Sequence, residues 1–139
     1  MRALARAKVN LYLEVVGRRA DGYHDLRTLF QTVRWGDDVV VERTDAVQVT
    51  CVTRGADVPD DDRNLAVRAA RGWLAATGAA RGVSIALDKR VPVGGGLGGG
   101  SSDAATVLTL LNAAAGPTAL SADALARLAA GLGADVPFL

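Results

Sequence analysis

The segment PVGGGLGGGSSDAA, residues 92–105, places six glycines among the seven residues Gly94–Gly100 and follows them with Ser101, Ser102 and Asp103. Glycine amides carry no shielding Cβ, so such a run can fold into a concavity of N–H donors. A helix opening just behind it adds free amides and a positive dipole end. That chemistry suits an anion, nucleotide phosphate above all. A flexible linker would need polar, unstructured flanks. Here a strand pattern precedes the glycines, and an apolar helical stripe (Ala104, Val107, Leu108, Leu111, Ala115) follows them. A Walker A loop requires Gly-Lys-[Ser/Thr], and Gly100 is followed by Ser101. Gly94, Gly96 and Gly99 fit G-x-G-x-x-G, but a dinucleotide site also needs a second strand bearing an acid. The turn NAAAGPT and another helical stretch stand there instead. The helix is expected to start near Ser101, with Ser101 and Ser102 free to cap it or touch phosphate or Mg²⁺, and Asp103 in its first turn favouring the dipole.

Composition narrows the partners. In 139 residues the formal net charge is +1 and the arginines are scattered, which argues against a nucleic-acid surface. Only 4% of residues are aromatic, so stacking platforms for single strands are not expected. Half the chain is apolar, as in a globular domain with a real core. Of the 16 basic residues only Lys8 and Lys89 are lysines, and in so Arg-biased a chain a lysine can mark a place that wants a compact ammonium. Cys51, the single cysteine, sits in the alternating stretch VQVTCVT and reads as a half-buried strand residue. No apolar run approaches the ~18 residues of a membrane span and no signal-peptide core is visible, so a cytoplasmic protein with no membrane partner is expected.

The elements that must position these residues follow from periodicity. In AKVNLYLEVV, residues 7–16, strict alternation puts Val9, Leu11, Leu13 and Val15 on one face and Lys8, Asn10, Tyr12 and Glu14 on the other. GRRADGYHD reads as a turn, centred on Asp21-Gly22. Residues 26–34, 37–43 and 46–53 read as three further strands. Asn64 is placed to cap a helix over 65–77 that Gly78 closes. GVSIALDKR is a strand before the glycine loop, and Ser121 caps a short helix to about residue 130, ended by Gly131 and Gly133. Strands, helix, strand, loop and two helices make an α+β domain. A strand is expected to begin as the chain reaches Leu139, which predicts that this piece of the fold is incomplete.

With the loop and its flanks in view, GGGLGGGSSDAA resembles the nucleotide loop of the GHMP kinase superfamily. Together with AKVNLYL, DGYHDL, NLAVRAA and GADVPF, in this order along the chain, it is similar to the branch of that superfamily whose acceptor is a cytidine diphosphate derivative of methylerythritol, on the non-mevalonate isoprenoid route. The resemblance implies a GHMP kinase N-terminal domain over residues 1–139. Its expected fold is a ribosomal-protein-like two-layer β/α sandwich with a left-handed βαβ crossover, and a C-terminal domain that normally packs on it lies outside this chain. It implies ATP as phosphoryl donor, with Mg²⁺ carried by the phosphate oxygens rather than by protein ligands.

By the same resemblance Asp135 in GADVPF is the catalytic aspartate and Lys8 the catalytic lysine, while Asn10, Tyr23 and His24 bind the acceptor, the last two at its cytidine. Asn64, Leu65 and Lys89 lie at the nucleotide. Pro92, Val93, Gly94, Gly95, Gly96, Leu97, Gly98, Gly99, Gly100, Ser101 and Ser102 carry its phosphates. On spacing alone Asp135 also reads as a turn aspartate, Lys8 as a solvated strand residue, Asn64 as a plain cap and His24 as an inert loop histidine. Other GHMP kinases, of homoserine or phosphomevalonate type, and a nucleotide-binding fragment without catalysis stand as alternatives. Residues 1–139 alone are expected to turn over little, and to expose an apolar face toward the absent domain.

Overall fold

The computed structural model describes residues 1–18, 22 and 24–139. Among them the strands are β1 (Arg2–Arg18), β2 (His24–Thr44), β3 (Val49–Arg54) and β4 (Gly82–Asp88), and the helices are α1 (Leu65–Thr77), α2 (Gly99–Ala113) and α3 (Ala122–Leu132). Short 3-10 turns lie at Gly116–Thr118 and Val136–Phe138. The sheet order is β1-β2-β4-β3, with only β3 and β4 parallel. A parallel pair needs a crossover, and α1 supplies it.

Burial alternates along the central strands. Val39 and Val41 on β2, and Val83, Ile85 and Leu87 on β4, point into one core with Ala66, Ala70 and Trp73 of α1 and Val107, Leu108 and Leu111 of α2. This is a sheet covered by helices on one face, the two-layer α+β arrangement. Trp73 is fully buried and donates its indole N–H to Asn112 Oδ1 at 3.1 Å. Asn112 also binds the backbone of Leu120 through both its oxygen and its nitrogen, so one amide joins α1, α2 and the approach to α3. No described helix is long and apolar enough to cross a membrane.

The helices match the sequence pattern closely. Asn64 accepts from Ala66 N at 2.9 Å as N-cap of α1, donates to Pro59 O at 2.8 Å, and Gly78 ends the helix with φ 65°. Asn64→Ala is expected to lose about 1 kcal/mol, the usual worth of such a cap, read as a lowered urea midpoint with unchanged m-value. Ser121 likewise caps α3 by accepting from Ala124 N. Gly131, expected to end that helix, lies inside it, and Gly133 is the C-cap.

The strands depart further. The expected strands at 26–34 and 37–43 are one long β2, since β1 pairs with it along almost its whole length through irregular register. The expected strand at 46–53 begins only at Val49. The chain end is a 3-10 turn rather than a starting strand, because Pro137 fixes a turn there.

Strict alternation along β1 also fails. Asn10 pairs with Phe30 but Tyr12 pairs with Leu29, so Leu11 is the extra residue of a bulge. From there a slip of one residue exchanges the faces. Leu13 and Val15, opposite Thr28 and Leu26, share the face of Lys8 and Asn10, and Tyr12 and Glu14 pass to the other. Leu11, Leu13 and Val15 are exposed rather than half-buried, as are Leu26 and Leu29 across from them.

Candidate functional site

The glycine loop joins the end of β4 to α2. Gly94, Gly96 and Gly98 hold φ of 76°, 70° and 70°, the left-handed region that side chains rarely enter. Gly98 is also tightly enclosed: a Cβ there would lie 3.0 Å from Lys8 Cγ. It is the N-cap of α2, with no side chain capping the first turn. The helix therefore starts at Gly99, two residues before the expected Ser101. That places Ser101 and Ser102 inside the first turn rather than at the cap, with Ser102 buried. A helix start left uncapped by side chains, behind a glycine loop, offers free amides that can receive an anion.

Beside the loop lies a cleft of about 220 Å³ lined by Val58, Pro59, Arg63, Asn64, Leu65, Lys89 and residues 91–100, with Asp103 at its base. Asn64, Leu65, Lys89 and the loop residues Pro92 to Gly100 thus meet in one place. Ser101 and Ser102 belong to the adjoining helix turn rather than to the cleft wall.

Lys89 has an unexpected setting. Its ammonium is almost wholly buried between two carboxylates, bonded to Asp37 and, at 2.5 Å, to Asp103. Asp37 is fully buried and accepts as well from the backbone N–H of Arg90 at 2.5 Å and Val91 at 2.8 Å. Asp103 is not a solvent-facing charge at the helix dipole. It is buried in α2, and its Oδ1 is the only buried side-chain polar atom without a partner among the described residues. Burial pushes the Asp103 carboxyl up to about 6, with Asp37 adding to the rise and Lys89 opposing it. Burial pulls Lys89 down, but its two carboxylates outweigh that and hold it above the usual lysine value.

Lys8 lies on the other side of the loop. Its backbone N–H donates to Leu97 O at 2.9 Å, which fastens the loop to β1. Its buried ammonium donates to Asn10 Oδ1 at 2.7 Å, lies 3.6 Å from Asp135 Oδ2, and faces the Phe30 ring at 5.9 Å. Asn10 in turn donates to Thr28 Oγ1 at 2.7 Å. Phe30 meets Phe138 edge to face at 6.0 Å between centroids. Asp135 is 42% exposed, open enough to receive a ligand. It lines a second, wider cleft of about 630 Å³ with His24, Leu26, Thr28, Phe30 and Phe138. Residues from opposite ends of the chain, Lys8 and Asp135, are thereby brought together, with Asn10 on Lys8 and His24 along the same cleft. Tyr23 lies outside the described residues.

Sequence reading missed Asp37, Asp103, Arg63, Phe30 and Phe138. The first two carried a signal. Asp37 continues the buried face of Val39 and Val41, and Asp103 lies on the stripe of Val107 and Leu111.

Residues 64–139 match the family described as GHMP kinases N terminal domain. The 4-diphosphocytidyl-2-C-methyl-D-erythritol kinase of Xanthomonas axonopodis pv. citri is 53% identical over 133 residues, which cover 96% of this chain and 45% of that protein. The kinase of the same name from Halorhodospira halophila is 53% identical over 134 residues, covering 96% and 46%. The chain thus spans about half the length of the curated relatives it matches. Among solved structures, a 4-(cytidine 5'-diphospho)-2C-methyl-D-erythritol kinase superposes with a TM-score of 0.79 at 50% identity, over 99% of this chain and 48% of that one. A mevalonate kinase shares the fold at a TM-score of 0.65 and 16% identity, over 99% of this chain and 47% of its own.

Proposed function

Because the chain belongs to the GHMP kinases, we propose that it forms the nucleotide-binding part of an ATP-dependent kinase acting on the 2-hydroxyl of 4-diphosphocytidyl-2-C-methyl-D-erythritol, in non-mevalonate isoprenoid synthesis. The observation that carries this reading is the position of Lys8, fastened by its backbone to the glycine loop and set by its ammonium beside Asp135. One residue thus joins an anion cradle to an open cleft with a carboxylate at its edge.

In this reading the loop amides and the start of α2 hold the phosphates of ATP, and Asn64 and Leu65 flank its base. Mg²⁺ would be held by the nucleotide's own phosphate oxygens and would supply charge neutralisation there. The loop presents N–H donors, which suit phosphate oxygens rather than a metal. The acceptor lies in the wider cleft with its cytidine toward His24 and its hydroxyl at Asp135. As the hydroxyl oxygen bonds to the γ-phosphorus, its proton passes to Asp135 and the bond from that phosphorus to the β-γ bridging oxygen breaks, releasing ADP. Lys8 holds its charge toward both the carboxylate and the transferring group. Asn10 fixes the ammonium through their 2.7 Å bond. The exposed Leu11, Leu13, Val15 and Leu26 offer an apolar surface to the remaining half of the protein, which completes the acceptor site. Residues 1–139 alone are therefore expected to bind nucleotide but turn over little.

The test is ADP release by the full-length protein with ATP, Mg²⁺ and, separately, the cytidylyl acceptor, homoserine and phosphomevalonate. Turnover confined to the first is the expected result. Preference for either of the others overturns the acceptor assignment, and no turnover with any of them overturns the kinase reading.

A further inference from the structure

The buried triad beneath the glycine loop has no part in the phosphoryl transfer described above, yet it touches both ends of the loop. Asp37 on β2 accepts from Lys89 and from the backbone of Arg90 and Val91, the residues that lead into the loop. Lys89 reaches across to Asp103, in α2 just after the loop. A Cβ on Gly99 would lie 3.0 Å from Val91 Cγ1 and 3.4 Å from Asp37 Oδ2, so the start of α2 packs directly on this cluster. Two carboxylates and one ammonium leave one negative charge in excess, buried at the base of a cleft built for phosphate.

That arrangement opposes its own ligand unless the extra charge is removed. Every oxygen of Asp37 is already engaged by a donor. Asp103 Oδ1 has none, and Asp103 borders the cleft, so a solvent proton has one open acceptor to occupy. The geometry points to Asp37 and Asp103 as positioning residues that clamp the two ends of the nucleotide loop through Lys89, with Asp103 taking up a proton when the loop takes up a phosphate chain. This inference rests on the nucleotide reading of the loop.

The surroundings of Asp103 leave few other groups to respond. Lys89 and Asp37 face it directly, and Cys51 on β3 senses it from farther off, its thiol pushed up mainly by burial. Asp60, before α1, acts on Cys51, and Arg63 lines the same cleft as Asp103. The packed face of α1 is apolar, with Ala66, Ala69 and Ala70. Lys8 of β1, behind Gly98, is engaged with Asn10 and Asp135. A proton on Asp103 is also within reach near neutrality, since its carboxyl already stands at about 6.

The experiment is calorimetric titration of the full chain with ATP at excess Mg²⁺, over pH about 5.5 to 8, in two buffers of different ionisation heat. Wild type is expected to take up part of a proton per ATP and to bind more weakly as pH rises, by up to about tenfold for each unit by which the bound phosphates raise Asp103. Asp103→Asn, which mimics the protonated acid, is expected to bind at the alkaline end as tightly as wild type does at the acid end, without proton uptake. Asp37→Asn, which loosens the loop and also removes the neighbour that helps raise Asp103, is expected to weaken binding at acid pH and to flatten the slope. Equal slopes in wild type and Asp103→Asn overturn the inference while leaving the nucleotide reading intact. If Asp103→Asn does not fold, absence of proton uptake by wild type overturns it alone. No saturable binding of ATP by wild type overturns both.

Discussion

Asp135→Ala in the full-length enzyme is expected to lower kcat by about 10²- to 10⁴-fold while leaving ATP affinity within about twofold, a change of well under 1 kcal/mol. The split follows from where the residue lies. Asp135 borders the wider cleft with His24, Thr28 and Phe30 and is absent from the lining of the cleft beside the glycine loop. Among the described residues its ion-pair partner is Lys8, at 3.6 Å, and Lys8 keeps its bond to Asn10 when the carboxylate is removed. In the proposed reaction, loss of Asp135 therefore removes the proton acceptor and leaves the glycine loop intact. Asp135→Asn keeps the size and a hydrogen-bonding group but cannot take a proton, so its kcat should fall nearly as far. A fall confined to acceptor KM would instead make Asp135 a binding group, and normal turnover in either variant would remove it from the chemistry.

How much of this was legible depended on whether a local pattern or a long-range pairing sets the structure. The helices were read nearly to the residue because each carries its own signals: Asn64 and Gly78 at the ends of α1, Ser121 at the start of α3. The glycine loop was legible for the same reason, since amide density and the following helix are local. The strands were legible as strands, β4 above all, but their bulges, faces and joins were not, because those are set by the partner strand. Nothing in residues 7–16 says that Leu11 is the extra residue, yet that slip moves Leu13 and Val15 to the face of Lys8 and Asn10. The meeting of Lys8 with Asp135 came from family resemblance, as no periodicity links residues so far apart in the chain. The triad lay between these cases. Asp37, Lys89 and Asp103 each extend an apolar stripe, beside Val39, Leu87 and Val107, and two negative charges and one positive on buried faces already imply a buried ion cluster.

That cluster predicts the largest loss of stability. Lys89→Met removes the only cation from between two buried carboxylates and leaves a side chain of similar length in its place. Breaking a buried ion network on one side costs about 3–5 kcal/mol, because the uncompensated charge stays behind. The loss should depend on pH, and its sign is fixed. In wild type the folded Asp103 carboxyl stands at about 6, above its usual value of 3.8, so the folded state binds more protons than the unfolded one between those values. Its contribution is greatest below that window and declines as pH rises through it. Without Lys89 the two like charges face each other with nothing to offset them, so the decline should continue to higher pH. Urea unfolding of Lys89→Met is accordingly expected to show most of its loss at pH about 8 and partial recovery at pH about 5. Adding Asp103→Asn should restore much of the stability, since the remaining Asp37 keeps its two backbone donors. The double-mutant cycle would then show coupling of more than about 1 kcal/mol. A loss that is the same at both pH values, or strictly additive with Asp103→Asn, would mean that Lys89 acts by packing alone and that the charge of the triad contributes nothing to the fold.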